Sequence, residues 1–270
     1  MERHFSDLLA RSQSSQKFLC VGLDPEFSKI PEHLRALGVR DGLRAFNRAI
    51  IDATHEIAGS YKPNTAFYEA YGADGWDVLR ETVAYINSTV PETVVIADAK
   101  RADIGNTNNG YAEAIFGSAG ADAITVHPYL GSEALRPFLD RKDKGVFVLC
   151  RTSNPGSGEM QDLNVDGMPL YERVARSVHT SWNVNGNCGL VVGATYPTEL
   201  TSVREITDMP ILIPGIGAQG GDVDETVRAA KRNMLISVSR AILYVSDGPD
   251  FAEAARRSAQ ELHSSIIKAA

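Results

Sequence analysis

The chain has 270 residues and a mass of 29.2 kDa, with 27 basic against 34 acidic side chains, a formal net charge of −7 and an isoelectric point near 5.4. Such a surface repels polyanions on average, which argues against a nucleic-acid binder and leaves any phosphate recognition to a local site. Apolar residues at 43% and charged residues at 23% exclude disordered and fibrous classes, and no apolar run approaches the roughly 18 residues of a membrane span.

Residues 1–7 mix charges of both signs and lack an apolar core, so they do not read as a signal peptide and a cytosolic chain is expected. Cys20, Cys150 and Cys188 lie far apart with no C-x-x-C pair, and are read as reduced packing residues.

Short β-branched runs recur in chain order at 18–23, 59–62, 93–97, 123–126, 146–150, 190–193, 211–213 and 235–238. Their starts are about 31 residues apart, the length of a strand plus a crossover helix. Between them lie helical stripes: Leu43, Phe46, Ile50 and Ile51 after the first run, and Leu170, Val174 and Val178 after the fifth. Runs with little polar interruption suit parallel strands covered on both faces. Eight such units, with no linker or second composition regime, predict a single-domain (β/α)₈ TIM barrel over 1–270, with a doubly wound sheet as the competing architecture.

Nearly every run ends in a polar residue: Asp24, Lys62 with Asn64, Asp98 with Lys100, His127, Thr152 with Ser153, Thr195 and Arg240. An α/β barrel builds its active site at the C-terminal ends of its strands, so these side chains are expected at one mouth. Residues 152–168, with glycines at 156, 158 and 167, are predicted to be a structureless lid or binding loop.

The densest chemistry lies in Asp98-Ala99-Lys100-Arg101-Ala102-Asp103-Ile104-Gly105-Asn106-Thr107. If the third strand runs through Lys100, side-chain alternation puts Asp98 and Lys100 on the same face and leaves Asp103 to the loop beyond. Lys62, arriving on the adjacent strand, would complete a Lys-Asp-Lys-Asp array. An ion-pair network that only closes the barrel top would use the same residues, but charges concentrated at strand ends favour an active site. After the seventh run, Pro214-Gly215-Ile216-Gly217-Ala218-Gln219-Gly220-Gly221 offers backbone N–H groups to an anion, with Arg240 to add a charged contact. The same string matches G-x-G-x-x-G. Its place after a late strand, and the presence of Arg240 where a ribose-binding acid would stand, argue against a dinucleotide site.

Six motifs in order over about residues 18–245 resemble the orotidine 5′-phosphate decarboxylase family: Val-Gly-Leu-Asp24-Pro, Tyr-Lys62-Pro-Asn, the Asp98–Thr107 block, Thr-Ser153-Asn-Pro-Gly, the Pro214 glycine turn and Ser239-Arg240. The Tyr-Lys-Pro-Asn form is similar to that of a bacterial subgroup. Ala102 stands where the pattern has glycine.

The resemblance implies decarboxylation of orotidine 5′-monophosphate to uridine 5′-monophosphate, the last step of de novo pyrimidine synthesis, without metal or organic cofactor. It makes Lys100 the cation and general acid at the ring carbon that loses CO₂, and sets Asp98 against the leaving carboxylate. It gives the ribose hydroxyls to Lys62 and Asp24, the pyrimidine edge to Ser153, and the phosphate to Gln219 and Arg240 beside Pro214. It sends Asp103 and Thr107 into the neighbouring site of a homodimer.

The competing functions are a Mg²⁺-dependent sugar-phosphate decarboxylase or aldolase of the same barrel superfamily, a Schiff-base aldolase using Lys62 or Lys100, and a non-catalytic nucleotide-binding protein. His127 is read as structural and the scattered histidines as no metal cluster. Asn87-Ser88-Thr89 would matter only in a secreted chain, and Trp76 and Trp182 are expected to pack on helices.

Overall fold

A computed structural model describes residues 3–217 and 220–270. Ten strands follow in chain order: β1 Leu19–Leu23, β2 Ser60–Pro63, β3 Val94–Arg101, β4 Ala123–Val126, β5 Gly145–Arg151, β6 Asn164–Val165, β7 Met168–Pro169, β8 Cys188–Val192, β9 Ile211–Pro214 and β10 Met234–Val238. Eight of them close into a barrel in the order β1-β10-β9-β8-β5-β4-β3-β2, and each barrel pairing is parallel. The eight predicted runs are these eight strands, and closure of β1 onto both β2 and β10 decides for the barrel over the doubly wound sheet.

Helices cover the outside. Val39–Thr54 buries Leu43, Phe46, Ile50 and Ile51, as its stripe predicts, and packs against the helices Gly72–Thr89 and Phe251–Ala269. Helix Leu170–Ser177 turns its buried stripe by about one position from the expected one. Tyr171, Ala175 and the following Val178 are inside while Leu170 and Val174 are half-buried. Trp76 and Trp182 pack, partly buried, against the outer core.

Inside the barrel a second core of Cys20, Val94, Ile96, Ala123, Phe147, Val191, Leu212 and Leu235 is plugged from the N-terminal end by Phe5 and Leu8. Phe5 meets Phe147 edge-on, with ring centroids 5.7 Å apart, and Arg3 pairs with the buried Asp122 at 2.6 Å. One end of the barrel is thus sealed, and the open end is the one where the strands finish. All three cysteines are free and buried; burial pushes the Cys150 and Cys188 thiols up to about 12 and also raises Cys20.

Two local expectations are corrected. Residues 152–168 are not structureless: Pro155–Ser157 forms a 3₁₀ turn, Gly158–Gln161 a helical turn, and β6 pairs antiparallel with β7. The Asp166-Gly167 pair between β6 and β7 takes φ values of 54° and 86°, the left-handed turn that closes a two-residue hairpin. In β3, simple alternation fails before Lys100. The register with β4 slips between Ala97 and Arg101, and Lys100 adopts φ 46°.

Candidate active site

The slip in β3 brings two residues of one strand to a common point. Lys100 turns through its left-handed backbone while its N–H donates to Thr125 Oγ1 at 2.9 Å. Thr125 sits in the fully buried β4 and donates its own hydroxyl to Asp98 Oδ1 at 2.8 Å. Lys100 Nζ donates to the same oxygen at 2.6 Å, and Lys62 Nζ, from β2, donates to Asp98 Oδ2 at 3.1 Å. Asp98 is therefore gripped from both sides by ammonium groups and from beneath by a hydroxyl.

The two lysines differ in access, and that separates what they can do. Lys62 is 4% exposed, whereas the Lys100 side chain is 48% exposed and stands in the open mouth. Burial draws Lys62 down, but the carboxylates of Asp24 and Asp98 outweigh it and hold the ammonium above its ordinary value. Burial pushes Asp98 up; Lys62 and Lys100, with hydrogen bonds from Lys100 and Thr125, outweigh that and hold the carboxyl well below the usual range.

Asp24, just beyond β1, completes this side. Its Oδ1 accepts from the Asn64 N–H at 3.1 Å and its Oδ2 from Ser239 Oγ at 2.5 Å. Gly22 makes the second bond possible, since a Cβ there would lie 1.8 Å from Ser239 Oγ. Tyr244 Oη accepts from the Glu26 N–H at 2.7 Å and donates to the Asp24 carbonyl at 3.0 Å, fixing the turn after β1.

Asp24, Lys62, Asn64, Asp98, Lys100 and Ser239 line one wall of a cavity of about 510 Å³, a size suited to a small ligand. Its apolar floor is Leu149, Val191 and Leu212, and the far wall is Pro214, Gly215, Ile216 and Arg240. After β9 the chain turns through Gly215 and Gly217 at φ 110° and 71°, and is clasped by Gly221 N–H donating to the Gly215 carbonyl at 3.1 Å. Arg240 opens the short helix Arg240–Leu243, next to Ser239. A charged cluster thus faces an arginine and a glycine turn across an apolar floor.

Of the residues singled out in the sequence, Asp24, Lys62, Asp98, Lys100, Ser153, Pro214 and Arg240 line this one cavity. Gln219 lies outside the described residues. Asp103 and Thr107 do not line the cavity. The Asp103 carboxylate accepts from the Ile104 N–H at 2.7 Å, and Asn108 clips its backbone on both sides, donating to the Asp103 carbonyl at 2.6 Å and accepting its N–H at 2.9 Å. Thr107 is exposed on the helix Gly105–Ala112. His127 is half-buried beyond β4, its N–H donating to the Arg101 carbonyl at 3.2 Å.

Sequence reasoning missed Thr125, the link between Asp98 and the Lys100 backbone. A hydroxyl inside a fully buried strand needs a partner, and that was the available signal. It also passed over Gln161 and Asn154, which line the cavity from the loop after β5.

A closed barrel with a charged cavity at the C-terminal ends of its strands has the architecture of an α/β-barrel enzyme. Residues 17–257 match the Orotidine 5'-phosphate decarboxylase / HUMPS family. The orotidine 5'-phosphate decarboxylase of Herpetosiphon aurantiacus is 50% identical over 255 residues, covering 93% of each chain. The structure of Leishmania donovani OMP decarboxylase superposes with a TM-score of 0.84 at 39% identity, covering 98% of this chain and 99% of that one. The UMP synthase of the same organism superposes with a TM-score of 0.86 at 40% identity, and this chain spans 56% of it. The chain belongs to the orotidine 5′-phosphate decarboxylase family.

Proposed function

We propose that the chain, acting as one barrel domain over 1–270, decarboxylates orotidine 5′-monophosphate to uridine 5′-monophosphate and CO₂, and so is a carboxy-lyase of pyrimidine nucleotide synthesis. The observation that carries this reading is the Lys62–Asp98–Lys100 cluster facing Arg240 across one cavity, in a chain of this family.

The reaction breaks the bond between the pyrimidine ring and its carboxylate. The electron pair stays on the ring carbon and CO₂ departs. That carbon then takes a proton from Lys100 Nζ, and the neutral amine is reprotonated from solvent. A carbanion without resonance needs a positive charge fixed in advance, and Lys100, tethered by Asp98, supplies both charge and proton. Because the cation comes from the chain, the step calls for no metal or organic electron sink. Lys62 and Asp24 hold the ribose hydroxyls, and Ser153 holds the pyrimidine edge. Arg240, Gln219 and the glycine turn after Pro214 hold the phosphate, whose remote binding energy orders the loops.

A Mg²⁺ site would need one or two free carboxylates beside substrate oxygens and water. Both Asp98 oxygens are already taken by ammonium groups, and Asp103 does not line the cavity.

Purified protein is tested by the ultraviolet absorbance of orotidine 5′-monophosphate in EDTA. Conversion to uridine 5′-monophosphate supports the reading, and an unchanged spectrum overturns it. Arg240→Ala is expected to lower kcat/KM roughly a hundredfold, from the lost charge-assisted contacts to phosphate. Steady-state kinetics equal to wild type would remove Arg240 from that role.

Asp103 and Thr107 serve the site of a second copy. Ile104, 63% exposed, and Tyr129, 82% exposed, lie on the loops after adjacent strands β3 and β4, an apolar surface suited to a homodimer. Mixing Asp103→Ala with Lys100→Ala protein is expected to restore about a quarter of wild-type activity, because half the reassorted dimers are mixed and each carries one intact site. Mixed dimers that stay inactive contradict the shared site. A cytosolic location accords with three buried free thiols, and among the described residues no helix is long and apolar enough to cross a membrane.

A further inference from the structure

The loop after β5 brings Thr152, Ser153 and Asn154 to the cavity wall, and its shape is held from behind by a buried cation. Arg151, the last residue of β5, has a side chain only 3% exposed and does not line the cavity. Its guanidinium lies over the Tyr196 ring at 3.8 Å from the centroid. One terminal nitrogen donates to the Thr152 carbonyl at 3.3 Å, to Gln161 Oε1 at 3.4 Å and to Ser157 Oγ; the other donates to Asp162 Oδ2 at 3.1 Å. The planar fork thus reaches the start, middle and end of one loop.

Gln161 turns that anchorage toward the cavity. Its Oε1 accepts from the Thr152 N–H at 2.8 Å, and its Nε2 donates to Thr152 Oγ1 at 2.8 Å. Thr152 Oγ1 in turn donates to Asn154 Oδ1 at 2.7 Å. The Gln161 amide thus meets Thr152 through its oxygen and its nitrogen, and its oxygen also accepts from Arg151, so the side chain fixes the loop. On the other side, the Gly193 N–H donates to the Arg151 carbonyl at 2.8 Å, tying the clamp to the end of β8.

We infer that Arg151 and Gln161 are positioning residues: acting through Thr152, they hold Ser153 and Asn154 where the base of the nucleotide is read. The inference rests on the proposed orotidylate decarboxylase function. Loosening the clamp disorders recognition of the base and leaves the phosphate wall at Gly215 and Arg240 untouched, since that wall is built from β9 and β10. Arg151→Lys retains a point charge but loses the fork that spans the loop. Gln161→Glu keeps the acceptor for the Thr152 N–H and for Arg151, and serves as the conservative variant.

The test measures turnover of orotidine 5′-monophosphate and inhibition by uridine 5′-monophosphate and by ribose 5-phosphate, with thermal melts to establish folding. Arg151→Lys and Gln161→Ala are expected to raise KM and weaken uridine 5′-monophosphate roughly ten- to hundredfold, as a misplaced contact residue does. Ribose 5-phosphate inhibition should stay within about twofold and Gln161→Glu should recover most of the loss. Folded variants with wild-type KM, or variants that weaken both inhibitors equally, overturn the positioning role. A wild-type protein that neither turns over the substrate nor binds uridine 5′-monophosphate fails the underlying function, which separates the two failures.

Discussion

Replacing Lys100 with alanine is expected to lower turnover of orotidine 5′-monophosphate by roughly five orders of magnitude, while affinity for uridine 5′-monophosphate changes little. A positioned general acid contributes about 10²–10⁴ and a fixed charge facing a developing anion about 10²–10³, and Lys100 supplies both. An interaction made only in the transition state shows in kcat and spares ground-state binding. The fold should survive, because Lys100 is half-exposed and its Nζ bonds to Asp98 alone among the described residues. Its φ of 46° disfavours lysine and alanine alike, so the substitution adds no backbone strain. Lys100→Arg separates the two contributions: it keeps the charge, but a guanidinium does not give up its proton, so it too should be inactive. Wild-type kcat in Lys100→Ala would remove Lys100 from the chemistry.

Asp98→Asn should damage stability and activity together. Lys62 and Asp98 are 6% and 11% exposed at their side chains, and removing one member of a buried pair costs about 3–5 kcal/mol because the other charge stays buried. For a chain of this size, that lowers the melting temperature by roughly 10 °C. Activity should fall at least about a thousandfold, because Lys100 loses its carboxylate tether. The pair's contribution has a defined pH window. The depressed Asp98 contributes stability above the ordinary carboxylate pKa and loses it as pH falls through its folded value; the raised Lys62 contributes below the ordinary ammonium pKa and loses it as pH rises through its folded value. The penalty of Asp98→Asn should therefore be constant across the neutral range. Adding Lys62→Met should recover much of the melting temperature, since it removes the unpaired buried ammonium, and none of the activity. Recovery of both would show that the pair only fills the barrel.

The barrel was legible because each barrel strand is buried along most of its length and so reads as an apolar run, while the mouth was legible because those runs end in charge. What stayed hidden depends on backbone or on distant contacts. Alternation puts Asp98 and Lys100 on one face, yet the structure brings them together by a register slip and a left-handed residue that no side-chain period foretells. Thr125 reads as an ordinary strand former until its neighbours are placed. The role of Arg151 is invisible in its own stretch of sequence, because it is fixed by Tyr196 and Asp162, contributed by later segments. Ser239 and Asp24 meet from opposite ends of the chain because barrel closure sets β1 beside β10. The stretch 152–168 looked featureless because its turns are short; only Asp166-Gly167 carried a hairpin signal.

The most direct test of the central claim is to run the wild-type reaction in D₂O with orotidine 5′-monophosphate labelled with ¹³C in its carboxylate, and to follow the nucleotide by NMR. The account predicts that the label leaves as CO₂ and that uridine 5′-monophosphate appears with one deuterium on the carbon that carried the carboxylate. Label retained on an unchanged nucleotide would contradict it.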